Sequence, residues 1–348
     1  MEITKKAFGT TKDNKDISCY TLKNANGMST TVTDYGAIIV SLVVPDKDGN
    51  MRDVVLGYDT AEPYFGNSEF FGAIVGRSAN RIKDGSFEID GVKYQLPINE
   101  NTNNLHSDME NGFHKKLWTA APDEARNAIT FSFTSPDGEN GFPGTLNMHV
   151  TYTLTDDNAL SIHYEGVSDK KTIINCVNHT YFNLAGHASG KILDHFIKID
   201  ASNYTPVKAD SIPTGEIAPV KGTPFDFTDF HKIGERIEND NEQLHFTGGY
   251  DHNYVLDKPN GVVTTVEERT AGIRMEVITD LPGIQFYAGN FVRDGIQGKD
   301  GAVYGKRSGL CLETQYFPDS VNQEAFKSPV FGAGEKYDTT TTYKFSVI

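Results

Sequence analysis

The chain has 348 residues, 38% hydrophobic, 23% charged and 11% aromatic, so it can bury a large core and is excluded from the disordered class. Its 47 Asp and Glu against 32 Lys and Arg give a formal net charge of -15. That field repels nucleic-acid phosphates and anionic membranes, so neither partner is expected, and neutral or cationic small molecules suit it better.

From the N-terminus, MEITKKAFGTTKDNKD lacks the apolar stretch of a signal peptide, and the longest apolar run, Ala37 to Val44, is too short to cross a bilayer. A cytoplasmic protein is expected. FEIDGVKYQL predicts a hairpin, because Asp90-Gly91 tolerates the positive φ of a type I′ turn. Period-two alternation follows in ITFSFT, LNMHVTYTLT and LSIHYEG, with Asp156, Asp157 and Asn158 turning the chain between the last two. Helical periodicity is weak; TDFHKIGERI, capped by Thr228 or Asp229, is the best candidate. The three cysteines, Cys19, Cys176 and Cys311, lie far apart in apolar runs and read as reduced, buried thiols. Many short strands separated by turns indicate an all-β antiparallel sandwich or barrel. With no linker, low-complexity tract or repeat, residues 1–348 are read as one domain.

Against this apolar background stand polar groups on strand-like segments: Asn80 and Arg81 in GRSANRI, His106 in NNLH, His179 and Tyr181 in NHTYFNL, Asp251 in GGYDHNYVL and Glu313 in CLETQYFPD. Ionisable groups on aromatic-rich strands are costly unless they serve a partner or ligand, so together they suggest one pocket. Period-two geometry puts His179, Tyr181 and Asn183 on one face, and Cys311, Glu313, Gln315 and Phe317 on another, which makes Glu313 a general-base candidate. Singly, each has a plainer reading. His179 can be a core histidine bonded to a carbonyl, Glu313 a structural ion pair, Asp251 a turn cap after Gly248-Gly249, and Arg81 an anchor for Asp84. The absence of an H-E-x-x-H spacing argues against a metal.

GRSANRI, the Leu-His of NNLH, GFHKKLW, NHTYFNL, GGYDHNYVL, PGIQFYAGN and LETQYFPDSVN together resemble the aldose 1-epimerase, or galactose mutarotase, family, from about Asp34 to the end of the chain. The resemblance implies a large, many-stranded β-sandwich of the galactose mutarotase type. It also implies interconversion of the α and β anomers of free aldoses such as galactose and glucose, without a cofactor. It makes Glu313 and His179 catalytic, with His106 assisting by steadying the ring or anomeric oxygen, and Asn80, Arg81, His106, Tyr181, Asp251 and Gln285 sugar-binding. Phe286 is an aromatic expected against the apolar face of the sugar. Where the family usually places two glycines after the first histidine, this chain has Ser107-Asp108, which points to a differently shaped loop and an extra carboxylate near the pocket.

The chemistry suits these residue types. Opening a pyranose removes the anomeric hydroxyl proton while the ring oxygen gains one, so a base and an acid act together: Glu313 as base, and His179 as acid, kept protonated by a nearby carboxylate. The alternatives are a hexose-6-phosphate 1-epimerase, which needs a basic cluster; a non-catalytic carbohydrate-binding or sugar-sensing module; and a glycosidase using Asp251 and Glu313. The charge does not count subunits; a monomer or weak homodimer is expected.

Overall fold

The computed structural model describes residues 2–348, and these are almost entirely strand and turn. Every ladder between extended strands is antiparallel among the described residues. Three sheets dominate. A five-stranded sheet takes the chain from Thr4–Thr10 to Met51–Asp53 in sequential order. A nine-stranded sheet contains the three alternating segments as Ala128–Ser135, Leu146–Leu154 and Ala159–Ser168, with the C-terminal strand Lys336–Val347 beside Ala159–Ser168. The third sheet carries Asp251–Val255, Gly283–Tyr287 and Cys311–Gln315 side by side.

The alternation in Leu146–Leu154 decides which face is covered. Leu146, Met148, Val150, Tyr152 and Leu154 are buried, while Asn147 and His149 are exposed. That inner face meets the other two sheets in one cluster of apolar side chains running from Ile3 to Phe345. Polar tips of core tyrosines tie the sheets together: the Tyr152 hydroxyl donates to the Ala37 carbonyl (2.6 Å) and the Tyr343 hydroxyl to that of Leu312 (3.0 Å). The three cysteines are free and buried, as expected.

The hairpin forms as Ser86–Ile89 and Val92–Gln95, with φ of 52° at Asp90 and 80° at Gly91. The expected helix at TDFHKIGERI does not form. His231–Lys232 pairs with the strand Phe196–Ile199, and Ile233–Glu235 makes a single tight turn. Gly234 lets this turn pack closely on Leu193, since a Cβ there would stand 2.9 Å from that of Leu193 and 3.0 Å from its carbonyl oxygen. The helix that does form, Glu242–Thr247, is capped by Asn241 and closed by Gly248 at φ 64°. Its six residues are too few to show a helical period.

Candidate active site

Register places the site. Across the third sheet Asn253 pairs with Gln285 and Gln285 with Glu313, while Asp251 pairs with Tyr287 and Tyr287 with Cys311. In-register residues share a face, so these polar side chains project together; His252, Phe286 and Leu312, also in register, point into the core. A second element, Val177–His179, pairs with Ala73–Val75 and brings His179 and Tyr181 to the same place. Arg81 comes from a two-stranded ladder, Arg81–Ile82 with Asn104–Leu105, and Asn80 and His106 flank its end, joined by the His106 N–H to the Asn80 carbonyl (3.0 Å).

These segments enclose a cavity of about 480 Å³, within the range of small-molecule sites (~300–1,000 Å³), lined by Asn80, Arg81, His106, His179, Tyr181, Asp251 and Glu313. Gln285 is the exception among the expected residues. It does not line the cavity; its amide donates to Asp251 Oδ1 (2.7 Å) and accepts from Gln315 (3.2 Å), holding Asp251 from behind. Phe286 does not line it either. Period two puts it opposite Gln285, fully buried and stacked on Tyr250. The aromatic walls are Phe70, Phe246, Tyr287 and Phe291, the last 60% exposed at the rim.

His179 and Glu313 form the centre. His179 Nε2 lies 3.7 Å from Glu313 Oε1, and both side chains are buried. Glu313 Oε2 is buried with no hydrogen-bond partner, which is costly for a carboxylate and leaves an acceptor for a ligand. Burial, then the charge of Asp251, push the Glu313 carboxyl well above its ordinary value, with Arg81 pulling the other way. Burial pushes His179 down to about 4, the opposite direction from that expected of a histidine beside a carboxylate, because desolvation disfavours the charged ring. Phe70 contributes to that dry wall, its ring 5.6 Å from that of His179 and 4.8 Å from that of His106.

His106 has a fixed tautomer. The Asn80 backbone N–H donates to its Nδ1 (3.2 Å), and burial drives the ring well below its usual value, so the neutral ring carries its proton on Nε2, free for a ligand oxygen. The loop after it is built by Ser107. His106 and Ser107 both have positive φ, 55° and 67°, where glycine is the unstrained choice. The Ser107 hydroxyl donates to the Ser78 carbonyl and accepts from the Ser78 N–H, both at 2.9 Å, and holds the conformation. The expected extra carboxylate does not reach the pocket: Asp108 caps its own loop by accepting from the N–H groups of Glu110 and Asn111.

Arg81 is held not by Asp84 but by Glu100, in a bidentate pair of 2.6 Å from Nε and 2.8 Å from Nη2. Glu100 is a lining residue that sequence reasoning missed, and nothing in its local pattern marks it. Glu69 and Arg293, paired at 2.8 Å on the rim, were also missed. Tyr287 was missable only by neglecting period two from Gln285. Five carboxylates line the cavity, those of Glu69, Glu100, Asp210, Asp251 and Glu313, against two guanidinium groups, each already paired.

Comparisons with known proteins identify the family and the fold. Residues 18–344 match the family model described as aldose 1-epimerase. The chain is 45% identical over 318 residues to the galactose mutarotase of Homo sapiens, covering 91% of this chain and 90% of that protein. It is 36% identical over 338 residues to the aldose 1-epimerase of Escherichia coli K12, covering 96% of each. Among solved structures, an aldose epimerase homologue from C. elegans superposes with a TM-score of 0.88 at 29% identity, covering 95% of this chain and 99% of that one. The galactose 1-epimerase of Lactobacillus acidophilus superposes with 0.86 at 30% identity over 99% of both.

Proposed function

The chain belongs to the aldose 1-epimerase family of isomerases, and from that premise we propose that it interconverts the anomers of free aldoses such as galactose and glucose, with Glu313 as base and His179 as acid. The observation that carries this reading is the buried pair 3.7 Å apart, opening on a cavity with one carboxylate oxygen unpartnered.

The anomeric oxygen and the ring oxygen share one carbon, so two groups this close address both. Burial favours the neutral pair, carboxylic acid plus imidazole. Passing that one proton from Glu313 to His179 gives the carboxylate and imidazolium that ring opening starts from, with nothing taken from solvent. Sugar hydroxyls entering the cavity donate to the unpartnered Glu313 oxygen and stabilise the carboxylate. Glu313 then takes the anomeric hydroxyl proton while His179 protonates the ring oxygen. Rotation about C1–C2 and reclosure, with roles exchanged, return the other anomer.

His106 Nε2–H steadies an oxygen of the ring, and Arg81, Asn80, Tyr181 and Asp251 hold the remaining hydroxyls. No cofactor or metal takes part in these steps. A free rather than phosphorylated sugar is favoured by the cavity charge, since both guanidinium groups are already paired with carboxylates.

Polarimetry on freshly dissolved α-D-galactose tests the reading. Wild type speeds the approach to equilibrium rotation and Glu313→Ala loses roughly 10²–10⁴ of that acceleration while remaining folded. An active Glu313→Ala enzyme overturns the mechanism, and faster turnover of galactose 6-phosphate overturns the substrate.

A further inference from the structure

The acid and base do not stand alone in their corner of the cavity. Cys311, on the same strand face as Glu313, lies with Sγ 3.6 Å from His179 Nδ1, while Glu313 Oε1 stands 3.7 Å from Nε2 of the same ring. One donor atom from each of His179, Cys311 and Glu313 falls within 4.8 Å of the others, and all three residues are buried. Thiolate sulfur, imidazole nitrogen and carboxylate oxygen are the donors that Zn²⁺ takes, at about 2.0–2.3 Å, which sets tetrahedral donors roughly 3.3–3.5 Å apart. The thiol and Nδ1 come close to that spacing, and an ion held between them takes Glu313 as its third ligand once the carboxylate turns from Nε2 towards the thiol.

Two further observations point to a cation. Glu313 Oε2 is a buried acceptor without a partner, and the cavity provides both an entry path and a fourth position for water. Asp251, on the same face one strand beyond Gly283–Tyr287, adds negative charge. The other trio of this kind among the described residues, His163, Glu165 and Asp338, is a useful contrast. There the Lys336 ammonium already sits 2.6 Å from Glu165 and 2.8 Å from Asp338, occupying the place an ion would take.

We propose that His179, Cys311 and Glu313 form an inhibitory site for a thiophilic divalent cation of the Zn²⁺ type, which binds in competition with the aldose. Ligation exchanges the thiol proton, and any proton on Glu313, for the metal; these protons leave to solvent and no oxidation state changes. The ion then occupies a ring nitrogen of the acid and the carboxylate of the base. Binding stands independently of the function proposed above; inhibition rests on it.

The test titrates metal-free, full-length protein with Co²⁺, follows absorbance, displaces with Zn²⁺, and then measures mutarotation of galactose with and without EDTA. One equivalent of Co²⁺ gives a thiolate-to-metal charge-transfer band that Zn²⁺ abolishes, and Zn²⁺ slows mutarotation reversibly and in competition with galactose. Cys311→Ala shows no band, binds roughly 10–100-fold more weakly, and its own rate, whatever its level, resists Zn²⁺. Glu313→Gln keeps the band with weakened binding, so the conclusion does not hang on one variant folding. His163→Ala behaves as wild type. A wild type without the band, equal affinity in Cys311→Ala, or loss confined to His163→Ala overturns the site. A band that depends on Cys311 in a protein without mutarotase activity upholds the site and sinks the functional reading instead.

Discussion

At the scale of single residues, the site is a set of groups whose charges are set by one another. Asp251 is the carboxylate that raises Glu313, and its own carboxyl is raised by burial. Replacing it by Asn removes a like charge, so the Glu313 value falls and the carboxylate persists to lower pH. In the resting pair Glu313 carries the proton that passes to His179, so its titration sets the basic limb of the kcat/KM profile, and that limb moves to lower pH in Asp251→Asn, whatever the variant loses in affinity. An unmoved limb in the measured profile removes Glu313 as the titrating base. Sequence reasoning found Asn80, Arg81, His106, His179, Tyr181, Asp251 and Glu313 because each is a polar group on an apolar segment, and the structure gathers all seven around one cavity. Their states were not legible. Whether His179 is protonated depends on how Phe70 and the surrounding walls exclude water, and those walls come from distant parts of the chain.

At the scale of elements, two neighbours on one strand divide between core and site. Phe286 and Tyr287 differ by one position in Gly283–Tyr287, and the pleat sends them to opposite faces. Phe286→Ala opens a void against Tyr250 and Phe227, and a loss of about 3–5 kcal/mol in denaturant unfolding is expected with KM for galactose unchanged. Tyr287→Ala removes a cavity wall and the hydroxyl that accepts the Phe291 N–H (2.8 Å), so KM rises roughly tenfold. Equal effects of the two on KM would contradict the register. The alternation itself was readable, and it alone excludes Phe286 once Gln285 is assigned to the polar face. The hairpin at Asp90-Gly91 was equally readable from its turn. The turn found in place of the helix was not: Gly234 in TDFHKIGERI packs on Leu193, some forty residues earlier, and no local period records that contact.

At the scale of the whole molecule, burying so many titratable groups ties stability to pH, and the sign can be worked out. Burial holds His106 well below its usual value, His114 and His252 at about 3, and His179 and His195 at about 4. Unfolded, each takes up a proton below about 6.5, so the unfolded state binds more protons and stability falls as pH drops from there toward 4. Asp34, raised to about 6, and Asp251 and Glu313, also raised, act the other way, since they hold protons in the fold that the unfolded chain releases above about 4. The histidines outnumber them, so the fold loses stability between pH 6.5 and 4.5. Below about 4 the carboxylates no longer oppose the loss, because the unfolded chain protonates them too. His252 isolates one contribution away from the cavity: its ring packs between Tyr204 and Phe225. His252→Phe flattens the dependence by about 1.4 kcal/mol per pH unit across that window. The measurement is unfolding free energy at pH 7.0 and 5.5 for both proteins. It also bears on the domain organisation, because a core running from Ile3 to Phe345 through all three sheets leads us to propose that the chain unfolds as one unit. Two separate transitions would reject that unit, and a slope unaltered by His252→Phe would mean that this imidazole does not titrate on unfolding, contrary to the burial that sets it.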